Sequence, residues 1–124
     1  MVTNALSPLR VIGALHDLVD PEGVVAAMSS GVGSINDNVG GRWEIDRASS
    51  EALNQMMKGF AIRKGNGRTY IAMSTGWVRT EMGGNGAAPL DIETSAHAIA
   101  ETLIARSGAG GVHFVDFRNQ PLAW

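Results

Sequence analysis

The sequence predicts a single α/β domain with a short parallel sheet of about three strands and flanking helices, and three observations predict it. Short apolar runs at 24–28, 69–73 and 112–117 have the length and composition of strands. Each is preceded by a stretch with helical periodicity, so every connection is long enough to cross over between parallel strands. At 124 residues and 13.0 kDa the chain is one domain, 1–124.

Ser7 followed by Pro8 reads as an N-cap and a first helical residue, and Leu9, Ile12, Leu15 (or His16) and Val19 then recur on one face. A helix is expected over 7–19, ended by Asp20, Pro21 and Glu22. Val24, Val25, Ala26, Ala27 and Met28 form a continuous apolar run before the Ser29, Ser30, Gly31 turn, as in a strand buried on both faces. A loop follows. From Arg47 to Arg63 the period is helical again, with Ala48, Ala52, Met56 and Phe60 on one stripe and Leu53 and Met57 alongside. Gly65, Asn66 and Gly67 stop that helix. The run 69–73 is the second strand, and the glycine-rich stretch 75–90 is a long loop. Asp91 suits the N-cap of a third helix in which Ile92, Ala96, Ile99 and Leu103 share a face, ending near Gly108. Strand 112–117 completes the order. Right-handed crossovers are expected to place helices on both faces of the sheet. Three strands leave two edges, each open to pairing.

Composition narrows the function classes. Ten Lys and Arg against twelve Asp and Glu give a net charge of −2, and no basic run with interleaved aromatics occurs, so no nucleic-acid partner is expected. No apolar run approaches the ~18 residues of a membrane span, and no signal-peptide order opens the chain. The expected location is cytoplasmic, without membrane association. The absence of Cys removes disulfides, thiolate catalysis and Cys-ligated zinc. His16, His97 and His113 stand apart with no ligand spacing, so no metal is expected. Gly31 and Gly33 follow a strand, but the next position of a dinucleotide-binding pattern is Asn36 and the segment opens no helix.

Four segments carry a family resemblance: VTNALSP at 2–8, AAMSSGVGSINDN at 26–38, WEIDRASSEALN at 43–54 and AMSTGWVRTEMGG at 72–84. Taken in this order and at these spacings, they resemble the C-terminal half of the short-chain dehydrogenase/reductases, and in particular the C-factor-like branch. The resemblance extends to the ending DFRNQPLAW. It implies a Rossmann-like three-layer fragment, with the first four strands of the family fold and their helices outside this chain.

The resemblance also implies a chemistry, hydride transfer between a nicotinamide (NAD or NADP) and a carbonyl or alcohol carbon. In family terms Ser30 matches the Ser that holds the substrate oxygen, and Asn4 matches the Asn that anchors a water relay. As bare residues they read as a turn-making Ser and a terminal Asn. The family's YxxxK falls on Asp46 and Ser50. A carboxyl with a reference pKa near ~3.9 does not donate a proton as a phenol near ~10 does, and Ser50 supplies no positive charge. Catalytic impairment is therefore expected. Thr75, Gly76, Trp77, Val78 and Thr80 match the segment that reaches the nicotinamide in the family, with Thr75 in place of a Pro. Binding of NAD(P) by this chain alone is not expected, because the glycine-rich phosphate turn is absent. The helices around 7–19 and 47–63 correspond to those that pair across a two-fold axis in the family, which implies a homodimer. The alternative is a non-catalytic interaction or dimerisation module, or the remnant of a truncated gene.

Overall fold

The computed structural model of the chain describes residues 1–64, 67–84 and 86–124, so the expected stop at Gly65 and Asn66 lies outside the described residues. Strands β1 (Val24–Ser29), β2 (Thr69–Ser74) and β3 (Gly111–Asp116) lie side by side in that order and run parallel. Val25 stands beside Tyr70 and Tyr70 beside Val112, while Ala26 stands beside Ile71 and Ile71 beside His113. Because successive residues of a strand point to opposite faces, this register sorts the sheet into two apolar surfaces. Helix α2 (Glu44–Lys64) lays Leu53, Met57 and Phe60 on the surface formed by Val25, Ala27 and Tyr70. Helix α3 (Ile92–Ala105) covers the other, with Ile99 and Leu103 against Ile71, Met73 and Val115.

Helices thus occupy both faces, but not by right-handed connections alone. The steps from β1 to β2 and from β2 to β3 move in the same direction across the sheet. Two like-directed steps whose helices land on opposite faces have opposite hands, so one crossover departs from the usual right-handed rule.

Strand burial also differs from the expectation. All six positions of β2 are buried, whereas β1 buries Val25 and Ala27 and leaves Met28 53% exposed. The central strand is the one enclosed by strands on both sides and helices on both faces. On its outer side β1 pairs with no strand among the described residues. The outer edge of β3 is closed by the chain's own ending: Val115 bridges to Pro121, and the Leu122 N–H donates to the Phe114 carbonyl at 2.9 Å. Trp124 then packs on Phe114 with ring centroids 5.5 Å apart, and the Lys58 ammonium lies 4.9 Å from the Trp124 ring.

The helices begin and face differently from the periodicity. Helix α1 (Ser7–Leu15) continues a π-helical turn (Val2–Leu6) and passes into a 3-10 turn (His16–Leu18). Ser7 is therefore helical rather than a cap. Pro8 lacks an N–H and crowds the carbonyl one turn back, which the wider upstream turn relieves. On the inner face His16, not Leu15, takes the buried place, edge-on to Phe60 at 5.0 Å. Its Nδ1 lies 3.1 Å from Asp17 Oδ1 without hydrogen-bond alignment.

Helix α2 starts before Arg47 and buries Ser49, Ser50, Leu53, Asn54, Met57, Phe60 and Ala61, so the inner face is rotated away from Ala48, which is exposed. Helix α3 likewise buries Ser95 and Thr102 and exposes Ile92 and Ala96. In α3 the hydroxyls face inward because each finds a carbonyl: Ser95 donates to Thr75 at 2.8 Å and Thr102 to Phe117 at 3.1 Å. Asp91 caps α3 as expected, accepting from the Thr94 N–H at 2.7 Å. Among the described residues no helix is long and apolar enough to cross a membrane.

Candidate functional site

In open α/β sheets the crevice for ligands forms past the carboxyl ends of the strands. Ser29 and Ser74 end β1 and β2 as register partners, so Ser30 and Thr75 are the first residues past adjacent strand ends. Ser30 opens a 3-10 turn (Gly31–Gly33), its Oγ accepting from the Val32 N–H at 3.3 Å. The neighbouring Gly31 N–H donates to Ser74 Oγ at 3.0 Å. The turn rests on α2: a Cβ on Gly33 would fall 2.8 Å from Ser50 Cβ and 3.0 Å from the Ser50 carbonyl carbon. Ser50 is buried beneath it. One turn further along α2, the fully buried Asn54 accepts from the Ser29 hydroxyl at 2.7 Å, while its Nδ2 makes no hydrogen bond.

Asn4 lies not in a segment before the helix but within the π-helical turn, where its Nδ2 donates to Ser49 Oγ at 3.1 Å. The Ser49 hydroxyl donates in turn to the Asp46 carbonyl at 3.0 Å. This chain docks the start of the protein on the first turns of α2. Met1, Asn4, Trp43, Glu44, Ile45, Asp46 and Ser49 line a cleft of about 440 Å³. Trp43 adopts φ +68 and is 70% exposed, presenting its indole at the mouth. A larger depression of about 630 Å³, lined by Asp20, Pro21, Glu22, Gly23 and Ser107, lies near the start of β1, away from the strands' carboxyl ends.

The structure therefore brings Asn4 and Asp46 to one cleft, while Ser30 opens the turn whose Gly33 rests on Ser50. The loop after β2 is tied down despite the missing Pro. Thr75 donates its hydroxyl to the Gly76 carbonyl at 3.2 Å, and Val78 pairs with Leu90. Gly76 has φ +76, and a Cβ there would meet Leu90 and Phe117 at 2.7 Å. Thr80 Oγ accepts from the Gly83 N–H at 3.1 Å, and Trp77 remains 58% exposed.

Glu44 and Asp46 supply carboxyl groups to the cleft, which Met1 also lines, and no Lys or Arg is among its described lining residues. Beside Ser50, burial pushes the Glu51 carboxyl above its usual value, and one of its oxygens is buried without a partner. The residues present do not fit a dinucleotide's phosphates. The Gly31 and Val32 N–H groups are already taken by Ser74 and Ser30, and the turn they form is three residues long rather than the start of a helix.

Sequence reasoning missed Arg47, Ser49, Asn54, Ser74 and Ser95 as partners of the site. The available signal was polar residues at positions where helical period places the inner face, Ser49, Ser50 and Asn54 above all.

No family model matches the chain. It is 27% identical over 124 residues to the C-signal protein of Myxococcus xanthus, covering 98% of this chain and 74% of that one. Among solved structures, it is similar to one described as a short-chain dehydrogenase/reductase from Burkholderia multivorans with bound NADP, at TM-score 0.93 and 42% identity. That match covers 99% of this chain and 53% of the other. A carbonyl reductase from Pseudomonas aeruginosa PAO1 in complex with NADP matches at TM-score 0.86 and 37% identity, over 99% of this chain and 54% of that one. The chain thus spans about half the length of these solved structures.

Proposed function

The chain has the fold and the sequence pattern of the C-terminal half of a short-chain dehydrogenase/reductase, and from that premise we propose that it is an NAD(P)-type carbonyl or alcohol oxidoreductase scaffold whose own site is catalytically impaired. The observation that carries the reading is the cleft at the start of α2, where Asn4 stands with Asp46, the residue at the family's Tyr position. Ser30 and the segment Thr75, Gly76, Trp77, Val78 and Thr80 lie past the adjacent strand ends, where a substrate oxygen and a nicotinamide would be met. The Ser30 hydroxyl accepts one backbone N–H and keeps its own proton to donate. Nothing at positions 46 and 50 reproduces the family's Tyr and Lys: Asp46 carries no phenol, and Ser50 is buried against the Gly33 turn. Solved relatives with bound NADP support the cofactor class.

The test is a titration of the purified chain with NADPH and NADH, read by Trp43 and Trp77 fluorescence, beside turnover of an aldehyde and ketone panel followed at 340 nm. Absence of saturable binding below about 100 μM, roughly −5.5 kcal/mol, together with flat absorbance, is the expected result. Turnover by the unaltered chain overturns the impairment. Appearance of turnover in an Asp46→Tyr, Ser50→Lys variant, with a complementary N-terminal half supplied in trans, supports the scaffold.

One observation favours the second reading, a helix-mediated homodimer. Val11 and Leu15 are 56% and 51% exposed on α1, and Ile62 is 70% exposed on α2. Sedimentation of the chain and of Val11→Glu tests it, a monomer in both cases refuting it.

A further inference from the structure

Arg47 stands in the first turns of α2, where the helix dipole disfavours a cation. Its position has another reason. Its Nε donates to the Arg42 carbonyl at 2.6 Å and its Nη1 to the Val32 carbonyl at 3.1 Å. Its backbone N–H donates to the Trp43 carbonyl at 2.8 Å. One residue therefore closes the loop between Val32 and Arg42 and holds both carbonyls flanking the left-handed Trp43. Val32 is the link to the site, because the residue whose carbonyl Arg47 holds also donates its N–H, across its own Cα, to Ser30 Oγ.

We propose that Arg47 is the positioning residue of this site: by anchoring Val32 through its carbonyl it keeps the Val32 N–H on Ser30 Oγ, so that the Ser30 O–H stays available to donate to a substrate oxygen. The proposal rests on the reading of Ser30 given above. Arg suits the task because its planar guanidinium presents several donors in fixed directions, so two carbonyls from separate segments are held at once. A Lys offers a single nitrogen on a flexible stem and holds one carbonyl well. The same clamp sets the Trp43 wall of the cleft, so the turn bearing Ser30 and the helix turn bearing Asp46 are fixed relative to each other.

The experiment is backbone amide exchange and the Ser30 Cβ chemical shift, measured by NMR on the wild-type chain, Arg47→Ala and Arg47→Lys. In Arg47→Ala the Val32 amide is expected to exchange about tenfold faster or more, and the Ser30 Cβ shift to move toward its unfolded value. Amides of β2 (Thr69–Ser74) keep their protection, and Arg47→Lys gives intermediate values. An unchanged Val32 amide and Ser30 shift in Arg47→Ala overturn the proposal. Equal loss of protection in β2 for both variants also overturns it, making Arg47 a residue of the whole fold. No cofactor or substrate enters these readouts, so a failed turnover test of the scaffold leaves them independently decisive.

Discussion

A glycine packed on α2 and a glycine within α2 should respond with opposite sign to the same substitution. In Gly33→Ala the new methyl would lie 2.8 Å from Ser50 Cβ, 3.0 Å from the Ser50 carbonyl carbon and 3.1 Å from the Glu51 nitrogen. These atoms belong to or are fixed on the backbone of α2 and cannot swing aside. Relief requires the Gly31–Gly33 turn to lift from the helix, straining the Ser30 and Ser74 hydrogen bonds. Overpacking of this kind costs about 1–3 kcal/mol, and unyielding backbone neighbours place it in the upper half, about 2–3. For a domain of this size that is a fall in Tm of roughly 6–12 °C. In Gly59→Ala the methyl meets only Arg63 Nη1 at 3.3 Å, the far end of a flexible side chain. There the helix gains about 0.5–1 kcal/mol from the reduced freedom of the unfolded chain. Far-UV circular dichroism melts and urea titrations of the two variants provide the measurement. A Gly33→Ala chain as stable as the wild type, or a Gly59→Ala chain that melts lower, would refute the packing argument.

Two pH-dependent outcomes follow from the carboxyl environments. Burial holds Glu51 above its usual 4.5, so its protonated form is favoured in the folded chain; stability is fullest below that value and declines as pH rises through the higher folded one. Glu51→Gln is therefore expected to raise Tm near about pH 7 and to leave it unchanged near about pH 3; an equal gain at both would point to packing instead of charge. Asp91 is held below its usual 3.8, chiefly by the Thr94 N–H, with smaller help from Arg79 at 3.9 Å. Its stabilisation is present above the usual value and lost as pH falls through the folded one. Asp91→Ala should melt lower than wild type at neutral pH, with Asp91→Asn largely retaining the cap. The gap between Asp91→Ala and wild type should close in acid, and a constant gap would contradict the assigned cause.

The candidate site was legible in parts. Ser30 as a turn former, the tight loop at Gly76 and the cap at Asp91 follow from short-range chemistry that their neighbours display. Asn4 was marked by the family resemblance but not by its neighbours, because its partner Ser49 stands 45 residues away. Arg47 read as an ordinary helix residue, since the carbonyls it holds belong to a loop whose path no periodicity describes.

The amino-acid sequence by itself determined the kinds of element and their order. Apolar runs and helical periods are local properties, and the alternation of helix and strand leaves a parallel sheet as the economical arrangement. Tertiary structure decided which side of each helix is inner, which strand is enclosed, which edge is closed and which residues share the cleft. The inner face of α2 turns toward Ser49, Ser50 and Asn54, and that of α3 toward Ser95 and Thr102. Burying a polar side chain is favourable chiefly where a hydrogen-bond partner meets it, as for Ser49, Asn54, Ser95 and Thr102. Those partners, Asn4, Ser29, Thr75 and Phe117, arrive from distant parts of the chain once the strands are in register.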